Sequence, residues 1–402
     1  MRDRAGWPRP DTPLDAIPST TDTPAMTDIS HHQPSAIAPK PAPRKLEQTA
    51  SNHRAVIIWL WASAFMVFAM AIIGAITRLT ESGLSMVEWR PLIGTIPPLN
   101  AEEWQRVFDL YRDTPEYRYK NAGMGIDQFK AIFFWEWFHR VWGRLIGLVY
   151  AVPFFWFLLR RQVPIGFHGR LWLLLFLGGL QGVIGWYMVE SGLVDRPSVS
   201  HYRLAMHLGM ATIIFGLLVM TAQQIAQARR PVVETIKKPV LRRHGWFSLA
   251  CLSITIVWGA FVAGLDAGLF YNSFPLMNGA WLPNEIFDVR PLVIGFFDNP
   301  ALVQFSHRYL AMATTLVLVV LALRAMGQTN ATPSVRYLGL GIGVMALMQT
   351  SLGIATLLSQ VWIPLAALHQ AGALVLVALM AAFLTALYNQ PVVDSSEKPA
   401  TV

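Results

Sequence analysis

The chain has 402 residues, 54% of them hydrophobic and only 14% charged, with 15 Trp and 22 Phe. A soluble domain carries about 25% charged residues, so this composition excludes an ordinary soluble enzyme and points to a protein that crosses a membrane many times. The net charge of +8 does not mark a nucleic-acid binder, because the basic residues sit mainly in short loops between apolar runs.

Residues 1–50 read as a disordered cytoplasmic tail, rich in Pro, Ser, Thr and Asp and without an apolar core. They lack the apolar stretch of a cleaved signal peptide. Met26 is a second candidate start, and His31 and His32 read as solvated. A membrane helix needs about 20 apolar residues. Runs of that order occupy 55–77, 171–189, 204–228 and 245–265, and the charge-free stretch 337–393 divides near "SQVWIP" (359–364) into two spans. The shorter runs 145–159 and 309–323 span only if each helix begins about a turn earlier and takes in His139–Arg140 or His307–Arg308. The fold class expected is an all-α polytopic membrane protein with eight transmembrane helices.

The linkers 160–170, 229–243 and 324–336 hold eleven Lys/Arg and one acid, Glu234. The positive-inside rule puts these loops and both termini in the cytoplasm. Residues 78–135 then lie outside, with "AEEWQRVFDLYRD" (101–113) as an amphipathic surface helix. The lone Cys251 lies in an apolar run and excludes both a disulfide framework and a Cys-based metal site within one chain.

A four-helix unit occurs twice. "GAITRLTESGL" (74–84) aligns with "GAFVAGLDAGL" (259–269), and "FHRVWGRLIG" (138–147) with "SHRYLAMATT" (306–315). "LQGVIG" (180–185) aligns with "MQTSLG" (348–353), and "HLGMATIIFGLLV" (207–219) with "HQAGALVLVALMA" (369–381). The four segments keep the same order in both copies, and the second and third share one offset along the chain. Two tandem four-helix bundles follow, related by a pseudo-two-fold axis along the membrane normal. Their expected bounds are 51–228 and 245–390, with a cytoplasmic linker at 229–244 and a cytoplasmic tail at 391–402.

The repeat puts His139, His207, His307 and His369 at the outer ends of the second, fourth, sixth and eighth spans. Ionisable groups within spans are functional candidates, against the alternative of interfacial histidines bonded to their neighbours. Zinc wants three or four ligands, often with carboxylate or thiolate help, whereas each half here offers two imidazoles. Paired imidazoles suit the axial positions of a haem iron, and a helix bundle supplies the apolar slot. Arg140 and Arg308 would pair with propionates. Gly143, Gly147, Gly209 and Gly372 would admit a flat ring, or else simply allow close helix packing.

These features resemble the haem A synthases over roughly residues 55–390, most specifically in "RLTESGLSMVEWRPLIGTIPPL" (78–99), "EWFHRVWGRLIG" (136–147), "HLGMA" (207–211), "QFSHRYLA" (304–311) and "LHQAGA" (368–373). The resemblance implies haem b between His307 and His369, and the haem O substrate near His139 and His207 with Glu136 essential beside it. The reaction it implies converts the porphyrin C8 methyl to a formyl for cytochrome oxidase, in the cell inner membrane. It further implies an upstream haem O synthase, an unnamed electron donor and assembly into homo-oligomers. Membrane lipid is the surrounding partner, and nucleic acid is not one. Cysteine pairs found in the outer loops of some members are absent, so the chain is similar to the cysteine-free proteobacterial or mitochondrial-type branch.

Glu136 and His139 are three residues apart and share a helix face. A carboxylate there suits charge stabilisation at the methyl carbon, or proton handling. The alternative is a structural Glu136–Arg140 pair at i,i+4. Two other classes also compete. A di-haem b electron-transfer protein that oxidises quinol needs the four histidines but not Glu136. A transporter built from parallel repeats would place charged or unwound residues at the midplane, which here is apolar.

Overall fold

A computed structural model describes residues 43–88, 93–194, 197–228, 238–328 and 330–388. The expected tails at 1–42 and 391–402, with Met26, His31 and His32, and most of the expected linker lie outside the described residues. The helices are α1 (Pro43–Leu79), α2 (Ala101–Arg112), α3 (Pro115–Tyr119), α4 (Ile126–Leu159), α5 (His168–Val194), α6 (His201–Ala228), α7 (Pro239–Gly264), α8 (Leu292–Asp298), α9 (Pro300–Met326), α10 (Pro333–Leu358) and α11 (Ile363–Tyr388). Short 3-10 turns lie at 93–95, 267–269 and 284–287, and no strand forms among the described residues. Eight helices are long and apolar enough to cross a membrane: α1, α4, α5, α6, α7, α9, α10 and α11. The chain is an all-helical, multi-pass membrane protein.

Several helices outrun their apolar segments. The backbone ladder continues into water wherever capping and packing support it, so hydrophobicity marks only the part in lipid. Helix α1 begins at Pro43, inside the expected tail, and α7 at Pro239, inside the expected linker. The largest difference is α4, which begins at Ile126, several turns before His139, where the sequence suggested a start about one turn before residue 145. Its 34 residues measure about 51 Å, well beyond the ~30 Å hydrocarbon layer. At its start the Gly125 N–H donates to Gln128 Oε1 at 3.1 Å.

The extension of α4 stands on a core of its own. Phe129 and Phe133 on α4 pack with Phe108 and Tyr111 of α2 and with Met86. The apolar face of α2 is therefore covered by protein, where the sequence suggested a helix lying on the membrane surface. Asn100 caps α2, its Oδ1 accepting from Glu103 N at 2.8 Å, and Glu102 and Glu103 occupy the first turn, the favourable end of the helix dipole.

The main core fills the other end of the bundle. It joins Trp59 and Leu60 of α1, Phe154 of α4, Leu171 of α5, Phe215 and Leu218 of α6, Leu321 of α9, and Met380 and Phe383 of α11. Helix α11 is the most enclosed span, with 67% of its central window buried against 11% for α5. The outward side chains of α5, such as Phe176 and Val183, are apolar and have lipid as their solvent.

Candidate functional site

The histidines stand at the end of the bundle opposite the main core. His207, His307 and His369 lie about two turns inside α6, α9 and α11. His139 and His207 are within electrostatic reach of one another, as are His307 and His369. All four are half-buried.

Each ring presses on a glycine of a neighbouring span. A Cβ added at Gly74 of α1 would sit 3.1 Å from His139 Cε1, and one at Gly259 of α7 would sit 3.1 Å from His307 Cε1. At Gly185 of α5 the distance to His207 Cε1 is 2.9 Å, and at Gly353 of α10 it is 2.8 Å to His369 Cε1. Real Cβ contacts are essentially never as short as those at Gly185 and Gly353, and those at Gly74 and Gly259 would require the ring to give by a few tenths of an ångström, so glycine is what lets the rings lie there. These four glycines went unnoticed in the sequence, although Gly74 and Gly259, and likewise Gly185 and Gly353, occupy matched places in the aligned segments. Of the glycines singled out there, Gly147 and Gly209 have nothing within 4 Å of an added Cβ, Gly143 meets Met70, and Gly372 meets Gln349 and Met345.

The loops that follow α1 and α7 arrive at these histidines by matching turns. Helix α1 ends in a left-handed residue, Glu81 (φ 52°), and α7 in Asp266 (φ 51°), its counterpart in the aligned segments. Each acid is held by a base: Lys120 Nζ lies 2.7 Å from Glu81, and Arg78 Nη2 lies 2.8 Å from Asp266. Beyond the turns, Arg140 Nη2 donates to the Met86 carbonyl at 3.0 Å and Nη1 to the Glu88 carbonyl at 3.4 Å. Arg308 repeats this on the carbonyls of Tyr271 (2.7 Å) and Ser273 (2.9 Å). Met86 and Tyr271 correspond in the register that aligns Gly74 with Gly259, and so do Glu88 and Ser273. Both arginines thus clamp a loop over the histidine end.

One position breaks the match. Glu136 is only 3% exposed. Its Oε2 accepts from Ser85 Oγ and from Met86 N, both at 2.7 Å, and its Oε1 lies 2.5 Å from Arg140 Nη2. In the register that aligns His139 with His307, its counterpart is Gln304, which is 2% exposed. Gln304 Oε1 accepts from Arg308 Nη2 at 3.0 Å, but its Nε2 donates to the Ala267 carbonyl at 2.8 Å. The N-terminal site converges donors on an anion, while the C-terminal site offers a carbonyl to a neutral amide. The register alone pairs these two residues, yet the sequence motifs drew notice only to Glu136.

The donor set agrees with paired imidazoles and not with zinc, since no group of three or more His, Cys, Asp or Glu converges among the described residues. Haem fits on further grounds. His307 Nδ1 and Arg308 Nε are buried without a hydrogen-bond partner; the Thr255 carbonyl is near His307 but outside bonding geometry. The pattern defines a helical membrane protein with two pairs of half-buried histidines, one of them beside a buried carboxylate.

The chain belongs to the COX15-CtaA family of cytochrome oxidase assembly proteins, which it matches over residues 57–381. It is 50% identical to a protein of Rhodospirillum centenum named heme A synthase, over 83% of this chain and 88% of that one. Similar matches are heme A synthases of Parvibaculum lavamentivorans, 46% identical over 82% and 93% of the two chains, and of Nitrosospira multiformis, 42% identical over 83% and 94%.

Proposed function

We propose that this protein is a haem A synthase, oxidising the C8 methyl of haem O to a formyl group. The N-terminal half (51–228) takes the substrate at His139 and His207, and the C-terminal half (245–390) holds haem b between His307 and His369. The observation that carries this division is the exchange of Glu136, met by donors, for Gln304, met by a carbonyl, beside a matching arginine clamp. A carbon that loses electrons becomes positive, and a fixed carboxylate beside it stabilises that charge. A resident electron relay needs no such anion.

Each residue has a task in this reading. Ser85 Oγ and the Met86 N–H donate to Glu136 and aim it, and Arg140 pairs with it while keeping the loop after α1 closed. The methyl is hydroxylated twice, its four electrons passing to an oxidant from outside the chain, and the resulting gem-diol loses water to leave the formyl; the carboxylate is placed to accept protons released from that carbon. His139 and His207 hold the substrate by its iron, and Arg140 and Arg308 stand beside the propionates, with the unpartnered Arg308 Nε turned to one of them. Bound haem b supplies one-electron transfer.

The protein would sit in the inner membrane with both termini cytoplasmic, receive haem O from a haem O synthase, draw on a separate electron donor and assemble as a homo-oligomer. The matched histidine cradles alone would serve a quinol-oxidising di-haem b protein equally well, and the Glu136/Gln304 difference counts against it. Chromatography of pigment extracted from purified protein tests the choice. Haem b together with haem O or haem A is expected, and haem b alone would overturn the proposal.

A further inference from the structure

Two glutamines, neither noticed in the sequence, meet the histidines of α6 and α11. Gln181 on α5 and Gln349 on α10 are counterparts in the aligned segments "LQGVIG" and "MQTSLG". Gln181 Nε2 lies 3.1 Å from His207 Nδ1 and donates to the His207 carbonyl at 3.0 Å. Gln349 Nε2 lies 3.1 Å from His369 Nδ1 and donates to the His369 carbonyl at 2.8 Å. One turn further along the same two helices stand Gly185 and Gly353, against the same rings. The glycine sets how near the ring lies; the amide of Gln349 faces the Nδ1 edge of His369, while that of Gln181 lies within reach of both Nδ1 and Nε2 of His207, the latter at 3.3 Å.

Each amide also carries an acceptor, and Oε1 of both Gln181 and Gln349 is buried without a hydrogen-bond partner. A buried acceptor left unpaired costs about 1–3 kcal/mol, and here it recurs at equivalent places. An imidazole that gives its Nε2 lone pair to iron carries its proton on Nδ1 and needs an acceptor there. A half-turn of the amide about its last bond exchanges Oε1 for Nε2 within the same volume. The turn gives up the bond to the backbone carbonyl, whose oxygen stands 2.8–3.0 Å from the present Nε2, so the side chain also swings clear of that oxygen as Oε1 takes the ring N–H.

We infer that Gln181 and Gln349 are positioning residues whose amide oxygens accept the Nδ1 proton of His207 and His369 when these ligate haem iron, fixing tautomer, ring orientation and ligand basicity. This rests on the reading of those histidines as ligands.

The test is redox titration of haem b in purified full-length protein. A stronger Nδ1 acceptor makes the imidazole a better donor to ferric iron and lowers the midpoint potential, and loss of the acceptor raises it. Gln349→Leu should raise the potential and Gln349→Glu should lower it. A purely structural role predicts the opposite for Gln349→Leu, because looser packing admits water and favours the ferric state. A potential at or below wild type in Gln349→Leu, or at or above wild type in Gln349→Glu, overturns the inference. If Gln349→Leu does not load haem, Gln349→Glu alone decides by the same sign. His369→Leu separates the two layers. Wild-type haem b content in that variant means the ligand reading has failed. Lost haem b, with no upward shift in Gln349→Leu, means that only the positioning role has failed.

Discussion

Glu136 and Gln304 occupy one place in two copies of the same arrangement. Each accepts a hydrogen bond from an arginine one turn further along its helix, and each arginine closes an outer loop by carbonyls at corresponding positions of the repeat. Around Glu136 the remaining partners are donors, and around Gln304 they are acceptors. The molecule thus contains its own comparison between an anion and a neutral amide at a single structural position.

Glu136→Gln conserves volume and leaves His307 and His369 untouched, so it should fold, insert and retain haem b, with some loss of stability because an amide N–H then faces the Met86 N–H. Haem A formation should fall on the order of a hundredfold or more, with haem O or its alcohol accumulating, as measured by the haem O to haem A ratio. Near-normal haem A would end the catalytic assignment.

Arg140→Gln should behave differently. The pair is buried, with Arg140 only 10% and Glu136 only 3% exposed, so removing the cation leaves a buried carboxylate with Ser85 and Met86 as its donors. Breaking such a pair costs about 3–5 kcal/mol. Thermal unfolding of the detergent-solubilised protein should show a larger loss for Arg140→Gln than for Glu136→Gln. Equal losses would mean that the pair is not held as described.

Replacing His307 or His369 with leucine should remove the low-spin haem b spectrum, whereas the same change at His139 or His207 should spare it. Wild-type haem b in the first two variants would contradict the division of labour between the halves.

Gly353→Ala places a methyl 2.8 Å from His369 Cε1, and Gly259→Ala places one 3.1 Å from His307 Cε1. Overpacking of this kind costs about 1–3 kcal/mol. Haem b per polypeptide should drop in both variants, and more in Gly353→Ala. Full occupancy would show that the rings move aside freely.

Glu116, on α3 in the outer region, is buried. Burial pushes its carboxyl up to about 8, helped by Glu136 and Glu81 and opposed by the Tyr111 hydroxyl and Lys120. Below pH about 4.5 both the folded and unfolded chains hold the proton. Between there and pH about 8 only the folded form keeps it, so stability falls as pH rises through this window and levels off above it. Amide exchange over residues 101–121, corrected for intrinsic rates, should quicken across that range, and Glu116→Gln should abolish the trend. An unchanged trend in the variant would assign it to another group.

The eight spans were legible in the sequence because lipid demands about 20 apolar residues per crossing and hydropathy records that demand directly. The four histidines and the repeat were legible because ionisable groups are rare in spans and the two halves align by eye. The start of α4 at Ile126 was not, since an aromatic core with α2, which hydropathy does not see, supports it there. Nor did the sequence show that Gly74, Gly185, Gly259 and Gly353 cradle the rings, or that Gln181 and Gln349 reach them. Those contacts join residues on different helices, and their pairing exists only once the spans pack. Glu136 and Gln304 lie between the two cases. The register that aligns His139 with His307 pairs them in the sequence, but only the folded loops show donors converging on one and a carbonyl on the other, and that polarity is what divides the two sites chemically.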